Sequence, residues 1–267
     1  MSKVVLITGG SSGIGKSIGE FLSQKGFTVY GTSRSPERYP DSKIKLVALD
    51  VADVLSVEKA IATVAQEAGR IDVVINNAGA GITGPIEEIL NEEIKRNFET
   101  NLFGPINVIK AVLPQMRKQN SGLIINITSI AGYMGLPYRG IYSASKGALE
   151  LITEAFRMEI KDFNIHMTNV APGDFATNIA AGRFHAPVVK GSPYEATYGK
   201  VLKAIDEDVD SGDDPIMVSN MIYKIINTPN PKIHYKVGAF MQKFSIVLKR
   251  ILPDKVYEKM LLNHYKL

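Results

Sequence analysis

"KVVLITGGSSGIG", Lys3 to Gly15, is the stretch on which the fold turns. Its first half, "KVVLITG", is a short, apolar, β-branched run ended by glycine, the pattern of a strand buried on both faces of a parallel sheet. Its second half, "TGGSSGIG" (Thr8 to Gly15), follows that strand directly and precedes a helix-period segment. Gly9, Gly13 and Gly15 permit a tight turn and close backbone approach, and the amides of a helix N-terminus suit a phosphate anion. The spacing is Gly-x-x-x-Gly-x-Gly rather than Gly-x-Gly-x-x-Gly, so two readings stand. The loop is either a dinucleotide cradle or a turn that only packs strand against helix.

Working outward, similar runs recur at "FTVYGTS" (Phe27 to Ser33), "IKLVALD" (Ile44 to Asp50), "IDVVINNAG" (Ile71 to Gly79), "GLIINITS" (Gly122 to Ser129) and "IHMTNVAPG" (Ile165 to Gly173). Helix-period segments separate most of them, among them Val54 to Ala68, Glu92 to Lys118 and Ser143 to Lys161. Strand and helix alternating in this way predict an α/β fold with a doubly wound parallel sheet. No Gly/Ser/Pro-rich linker or repeat interrupts it, which predicts a single domain over residues 1–267. After Gly173 the period loosens, a last strand candidate stands at "KIHYKVG" (Lys232 to Gly238), and residues 239–267 form a helical tail broken at Pro253.

Composition sets outer bounds. Hydrophobic residues at 45% and charged residues at 22% are ordinary for a globular chain, and a net charge of +4 does not point to nucleic acid. The chain has no cysteine, which excludes disulfides and thiolate chemistry. The strand beginning at Lys3 leaves no room for a cleavable signal peptide, no apolar run reaches bilayer-spanning length, and a cytoplasmic location is expected. Asp206 to Asp214, "DEDVDSGDD", carries six acids in nine residues but lacks calcium-loop spacing, so no metal is assigned.

"YSASK" (Tyr142 to Lys146) places a tyrosine and a lysine four apart, on one face of a helix. Both groups titrate near pH 10 when unperturbed, but a fixed ammonium beside a phenol favours phenolate and makes a tunable acid/base. Surface helices carry the same pair by chance, so the pair alone leaves the matter open. The whole set of motifs resembles the short-chain dehydrogenase/reductase family in its single-domain form. The matches run in order through "TGGSSGIG", Asp50, "NNAG" (Asn76 to Gly79), Asn101, Ser129, "YSASK" and the Pro172-Gly173 pair, with Ser129 thirteen residues before Tyr142.

The resemblance implies a Rossmann-type sheet of about seven strands and a catalytic set of Asn101, Ser129, Tyr142 and Lys146. Tyr142 would be the general acid/base, Lys146 would lower its pKa and hold the nicotinamide ribose, and Ser129 would hydrogen-bond the developing oxyanion. Asn101 would hold a water linking Lys146 to solvent; its other reading is a helix kink or an internal hydrogen bond. The loop residues Gly9, Ser11, Ser12, Gly13, Ile14 and Gly15 would meet the cofactor phosphates. Asp50 and Val51 would meet the adenine, Asn77, Ala78 and Gly79 the adenosine ribose, and Pro172, Gly173 and Thr177 the nicotinamide. Asn76 would prop the central strand and Thr8 would tie the loop down.

Cofactor choice follows from charge. A free ribose 2′-hydroxyl is met by a carboxylate at the end of the second strand; here that position is Ser33, followed by Arg34, with Arg38 nearby. Serine and arginine suit a 2′-phosphate, which predicts NADP(H) over NAD(H). Lys16 reads as a surface charge.

The resemblance places the substrate beneath a cover running from Phe175 to about Ile205; Phe184, Tyr194 and Tyr198 read equally as pocket lining or as core packing under that loop, and Tyr133, Met134, Leu136 and Tyr138 fall near the reactive centre. It points toward the hydroxysteroid and retinol dehydrogenase branch, hence a hydrophobic ketone, aldehyde or alcohol, and a homodimer or homotetramer paired through the long helices. A 3-oxoacyl thioester reductase, an NAD-dependent alcohol dehydrogenase and a non-catalytic NADP(H) sensor remain as alternatives, and Arg139 and Arg183 are unplaced charges. The tail carries Lys243, Lys249, Arg250, Lys255 and Lys259 among apolar residues. Core or interface packing is its first reading; covering the pocket or lying on an anionic membrane are the others.

Overall fold

The computed structural model describes residues 2–175, 183–210 and 212–267, with backbone alone over 204–210. Nine strands are present among these: β1 (Val4–Ile7), β2 (Thr28–Ser33), β3 (Lys45–Ala48), β4 (Val73–Asn76), β5 (Ile82–Thr83), β6 (Gly122–Ile127), β7 (Ile165–Pro172), β8 (Phe184–His185) and β9 (His234–Val237). Seven form one parallel sheet in the order β3-β2-β1-β4-β6-β7-β9. The chain winds outward from β1 to β3, then returns to the other side of β1 as β4. Winding direction therefore reverses between β1 and β4, and a crevice opens outside their carboxyl ends, where open α/β sheets bind ligands.

The period of two along β1 explains the layering. Val5 and Ile7 pack with Ile14, Ile18 and Leu22 of α1 (Gly13–Gln24) and Val218 and Ile222 of α7 (Ile216–Ile226) on one face. Val4 and Leu6 face α2 (Val54–Ala68) and α4 (Gly104–Gln119) on the other. All four β1 side chains are buried, each contributing roughly 1.5–3 kcal/mol. Asp53 caps α2 by accepting from the Leu55 and Ser56 amides at 2.9 and 3.3 Å.

The continuous helix expected over Glu92 to Lys118 is broken. α3 (Asn91–Phe98) runs into a π turn at Glu99–Phe103 and then into α4. Pro105 supplies a physical reason: it has no N–H, so the Asn101 carbonyl four residues earlier lacks its α-helical donor. α5 (Gly140–Glu159) follows β6 and a 3₁₀ turn at Ile130–Tyr133. α6 (Glu195–Asp210) follows β8. The tail is α8 (Phe240–Ile251) and α9 (Asp254–His264), interrupted at Leu252 and Pro253 as expected. No helix among the described residues is long and apolar enough to cross a membrane.

Candidate active site

The glycine loop sits at the carboxyl end of β1, where Gly9 (φ 65°) and Gly13 (φ 53°) adopt left-handed backbone that other residues resist. Gly15 is demanded by space: a Cβ there would lie 2.3 Å from the Gly9 carbonyl oxygen and 2.4 Å from Asn77 Nδ2. Thr8 ties the loop down, its hydroxyl accepting from the Asn77 and Ala78 amides, both at 3.0 Å. The Asn77 side chain donates to the Thr8 and Gly9 carbonyls at 2.9 and 3.2 Å, so its amide group shapes the cradle. Ser12 stands at the N-cap of α1 without a side-chain cap, and the first turn holds no acid. The amides beginning α1 are thus left for an anion, beside Ser11 and Ile14. Lys16 pairs loosely with Glu20 at 3.9 Å, as a surface charge does.

The end of β2 is held against this loop, with Gly10 N donating to the Thr32 carbonyl (2.9 Å) and Gly9 N to the Thr32 hydroxyl (3.2 Å). Ser33 therefore sits beside the glycine loop, its hydroxyl accepting from Ser35 N at 3.2 Å. Arg34 and Arg38 are exposed and make no ion pair or side-chain hydrogen bond among the described residues. On the far side, one Asp50 carboxylate oxygen accepts from Ala52 N at 3.0 Å, leaving the other oxygen uncommitted among the described residues. Val51 is buried against Gly104, and its carbonyl takes Asn107 Nδ2 at 3.1 Å.

The reactive end is assembled from β6, β7, α5 and the π turn. Ser129 leaves β6 and caps the 3₁₀ turn by accepting from Ala131 N at 3.1 Å. Tyr142 and Lys146 project from the first two turns of α5. Lys146 is 4% exposed and donates to the Ile127 carbonyl at 2.9 Å; burial lowers its pKa to about 8, opposed in part by the charge of Glu150. A Cβ on Gly79 would lie 3.2 Å from both Lys146 Nζ and Asn101 Oδ1, so the glycine brings these groups together. Asn101's amide accepts from Ala80 N (2.8 Å) and donates to the Ala80 carbonyl (2.9 Å), Asn97 Oδ1 (3.2 Å) and Ser145 Oγ (3.1 Å). Asn101 thus sits in the π turn that interrupts the helix, and its side chain is held by internal hydrogen bonds. Asn76 donates to Asn126 at 2.8 Å and props the central strands. Thr177 lies outside the described residues.

These parts open on one cleft of about 100 Å³, whose lining includes Ser129, Tyr142, Lys146, Pro172 and Gly173. A larger cavity of about 440 Å³ continues from it and shares Ser129, Arg139, Gly173 and Asp174. Its wall is mostly apolar, including Met134, Leu136, Met241, Leu248 and Met260, so α8 and α9 form much of it. The cleft's glycine cradle, free helix-end amides and tight Gly79 approach fit a dinucleotide.

The family model described as short chain dehydrogenase matches residues 3–187. The chain belongs to that family. It is an oxidoreductase family with a nicotinamide-binding fold, and its members' likeness extends over the whole length. A 3-ketodihydrosphingosine reductase of Bacteroides thetaiotaomicron is 41% identical over 257 residues, 96% of this chain and 95% of that protein. An NADPH-dependent 3-dehydrocapnine reductase of Ornithobacterium rhinotracheale is 29% identical over 282 residues, covering 99% and 98%. A crystal structure of a short-chain dehydrogenase from Streptomyces avermitilis superposes with a TM-score of 0.84 at 30% identity, covering 100% of this chain and 97% of that one.

In this short-chain dehydrogenase, Phe184, Tyr194 and Tyr198 are absent from the lining of both cavities as the described residues form it. They pack with Ile82, Ile89 and Tyr138, and the Tyr198 hydroxyl donates to the Ala186 carbonyl at 2.8 Å. Tyr133 turns away from the cavity to donate to Glu150 at 2.9 Å, and burial with that carboxylate pushes its phenol pKa up. Residues without a motif also reach the site. Arg139 lies over the Tyr142 ring at 5.6 Å and 3.9 Å from Asp174. Gln242 of α8 reaches the Pro172-Gly173 turn, accepting from Asp174 N at 3.4 Å and donating to Asp174 Oδ2 at 2.9 Å. Glu150, one turn beyond Lys146, accepts from Thr128, from Asn169 at 2.8 Å and contacts His234 Nδ1 at 2.7 Å. Only Glu150 had a legible signal, its place four residues after Lys146 on the same face.

Proposed function

We propose that this protein is an NADP(H)-dependent reductase of a hydrophobic ketone, working as a single nucleotide-binding domain. The observation that carries the reading is the meeting of Ser129, Tyr142 and buried Lys146 in the cleft that opens onto the apolar cavity. The bound nicotinamide supplies hydride. Tyr142 gives the proton to the carbonyl oxygen, and Ser129 holds that oxygen as negative charge develops. Lys146 keeps a positive field near the phenol and, with it, the ribose hydroxyls in place. The proton is restored through a water on the Asn101 carbonyl, which Pro105 deprives of its α-helical donor, because the Asn101 amide is already committed.

Ser33 with Arg34 and Arg38 binds the 2′-phosphate, Asp50 and Val51 meet the adenine, and Pro172 and Gly173 meet the nicotinamide. An apolar cavity of about 440 Å³ suits a chain-bearing substrate. The Bacteroides relative's name makes 3-ketodihydrosphingosine the first candidate. We place the protein in the cytoplasm as a homodimer or homotetramer, a reading supported by exposed Leu151 and Met158 on α5.

The test is nicotinamide absorbance with NADPH and NADH in parallel, against long-chain ketones, steroid and aromatic ketones, acyl thioesters and sugars. Oxidation of NADPH with a long-chain ketone is expected. Tight NADPH binding with no turnover on any carbonyl would replace the reductase with a nucleotide sensor.

A further inference from the structure

α8 presents apolar residues to solvent as well as to the protein. Phe240, Phe244, Val247 and Ile251 follow the spacing i, i+4, i+7, i+11 and form one stripe. All four are exposed, Phe240 by 72% and Ile251 by 67%, whereas Ile246 on the opposite side is 1% exposed. The rings of Phe240 and Phe244 stack with centroids 5.7 Å apart. A contiguous exposed apolar stripe marks an interaction surface.

Its charge says what the surface meets. Lys243 and Arg250, seven residues apart, run along one flank of the stripe. Lys249 turns to the other side of the helix, where it donates to Asp254 at 2.8 Å, and adds nothing to this flank. A second copy packing antiparallel on this face by two-fold symmetry would set each basic flank against its own like charge. A bilayer with anionic headgroups offers the opposite charge above an apolar layer. The helix is about 18 Å long, too short to cross and long enough to lie in the interface. On the other flank, Met241 is both exposed and part of the wall of the apolar cavity, so the cavity reaches the surface beside the stripe.

We propose that α8 docks on the surface of an anionic lipid bilayer, with Phe240, Phe244, Val247 and Ile251 in the acyl boundary and Lys243 and Arg250 at the headgroups. The cavity then draws a chain-bearing amphiphile from that surface; this last step rests on the reductase reading of the cleft.

The experiment is co-sedimentation of the full chain with vesicles of phosphatidylglycerol and phosphatidylcholine, and of phosphatidylcholine alone. Partition onto the anionic vesicles is expected, weaker by about tenfold or more on the neutral ones and in high salt. The double variants F240S/F244S and K243E/R250E should each lower it by about tenfold or more. Both variants should still turn over a short water-soluble ketone, which shows them folded, and should lose turnover of a long-chain ketone carried in anionic vesicles. Absence of binding to anionic vesicles overturns the proposal, and so does self-association abolished by F240S/F244S without vesicle binding. Sedimentation needs no turnover, so the two readings fail separately. Ketone reduction without vesicle binding removes the docking alone, whereas vesicle binding without reduction of any ketone removes the reductase reading alone.

Discussion

Lys146 donates its 2.9 Å hydrogen bond to the Ile127 carbonyl from a position where water scarcely reaches it. Its ammonium is held by one main-chain oxygen, the nearby Glu150 charge and whatever occupies the cleft.

That placement gives a pH signature. Lys146 titrates at about 8 in the folded protein, because burial disfavours its charged form, and near 10.4 when unfolded. Below about 8 both states are protonated and the folded state carries the full cost of a buried cation. As pH rises from about 8 to 10.4 the unfolded chain binds the extra proton, so this group's contribution moves toward greater stability. Lys146→Met removes the effect. The Tm of the variant minus that of the wild type, both without cofactor, should fall between pH 7.5 and pH 10; a constant difference would contradict the assignment.

The 2′-phosphate reading rests on Ser33, Arg34 and Arg38. Arg34→Ala should raise the Kd for NADPH by about ten- to a hundredfold, the loss of one or two charge-assisted hydrogen bonds, and leave that for NADH nearly unchanged. Ser33→Asp should do the same and improve NADH binding. Fluorescence titration of both cofactors reads this directly, and equal losses for both would contradict it.

Glu150 joins β6, β7 and β9 to the helix that carries Tyr142 and Lys146. Glu150→Ala takes their acceptor from the Tyr133 and Asn169 side chains, while Thr128 keeps the Val170 carbonyl at 3.2 Å, at a cost of about 2 kcal/mol or a Tm lower by roughly 4–8 °C. Glu150→Gln keeps acceptor capacity and should recover part of it. Thermal melts of the two variants, coinciding with wild type, would show that the cluster contributes nothing.

The sheet was readable because a parallel strand buried on both faces must be a continuous apolar run, and β1, β2, β4, β6 and β7 all fall inside such runs. β5 and β8, two residues each, have no period to detect. Asn101 was reached through the family resemblance, by its place between "NNAG" and Ser129, but its π turn was hidden inside a segment with a clean helical pattern; Pro105 was the signal that could have found it. Tyr194 and Tyr198 show the converse limit, since an aromatic under a loop reads alike whether it packs or lines a cavity. For α8 the period reveals two unlike faces, and only the structure shows which is covered. Arg139 and Gln242 meet at Asp174 through the tertiary fold, beyond any local pattern.

In the proposed mechanism Tyr142 moves the proton, and Tyr142→Phe removes that one hydroxyl and little else. Turnover of the ketone that the wild type reduces should fall by about 10²- to 10⁴-fold, while the Kd for NADPH, measured on the same protein, stays nearly unchanged. Turnover close to that of the wild type in a variant that still binds NADPH would contradict the account.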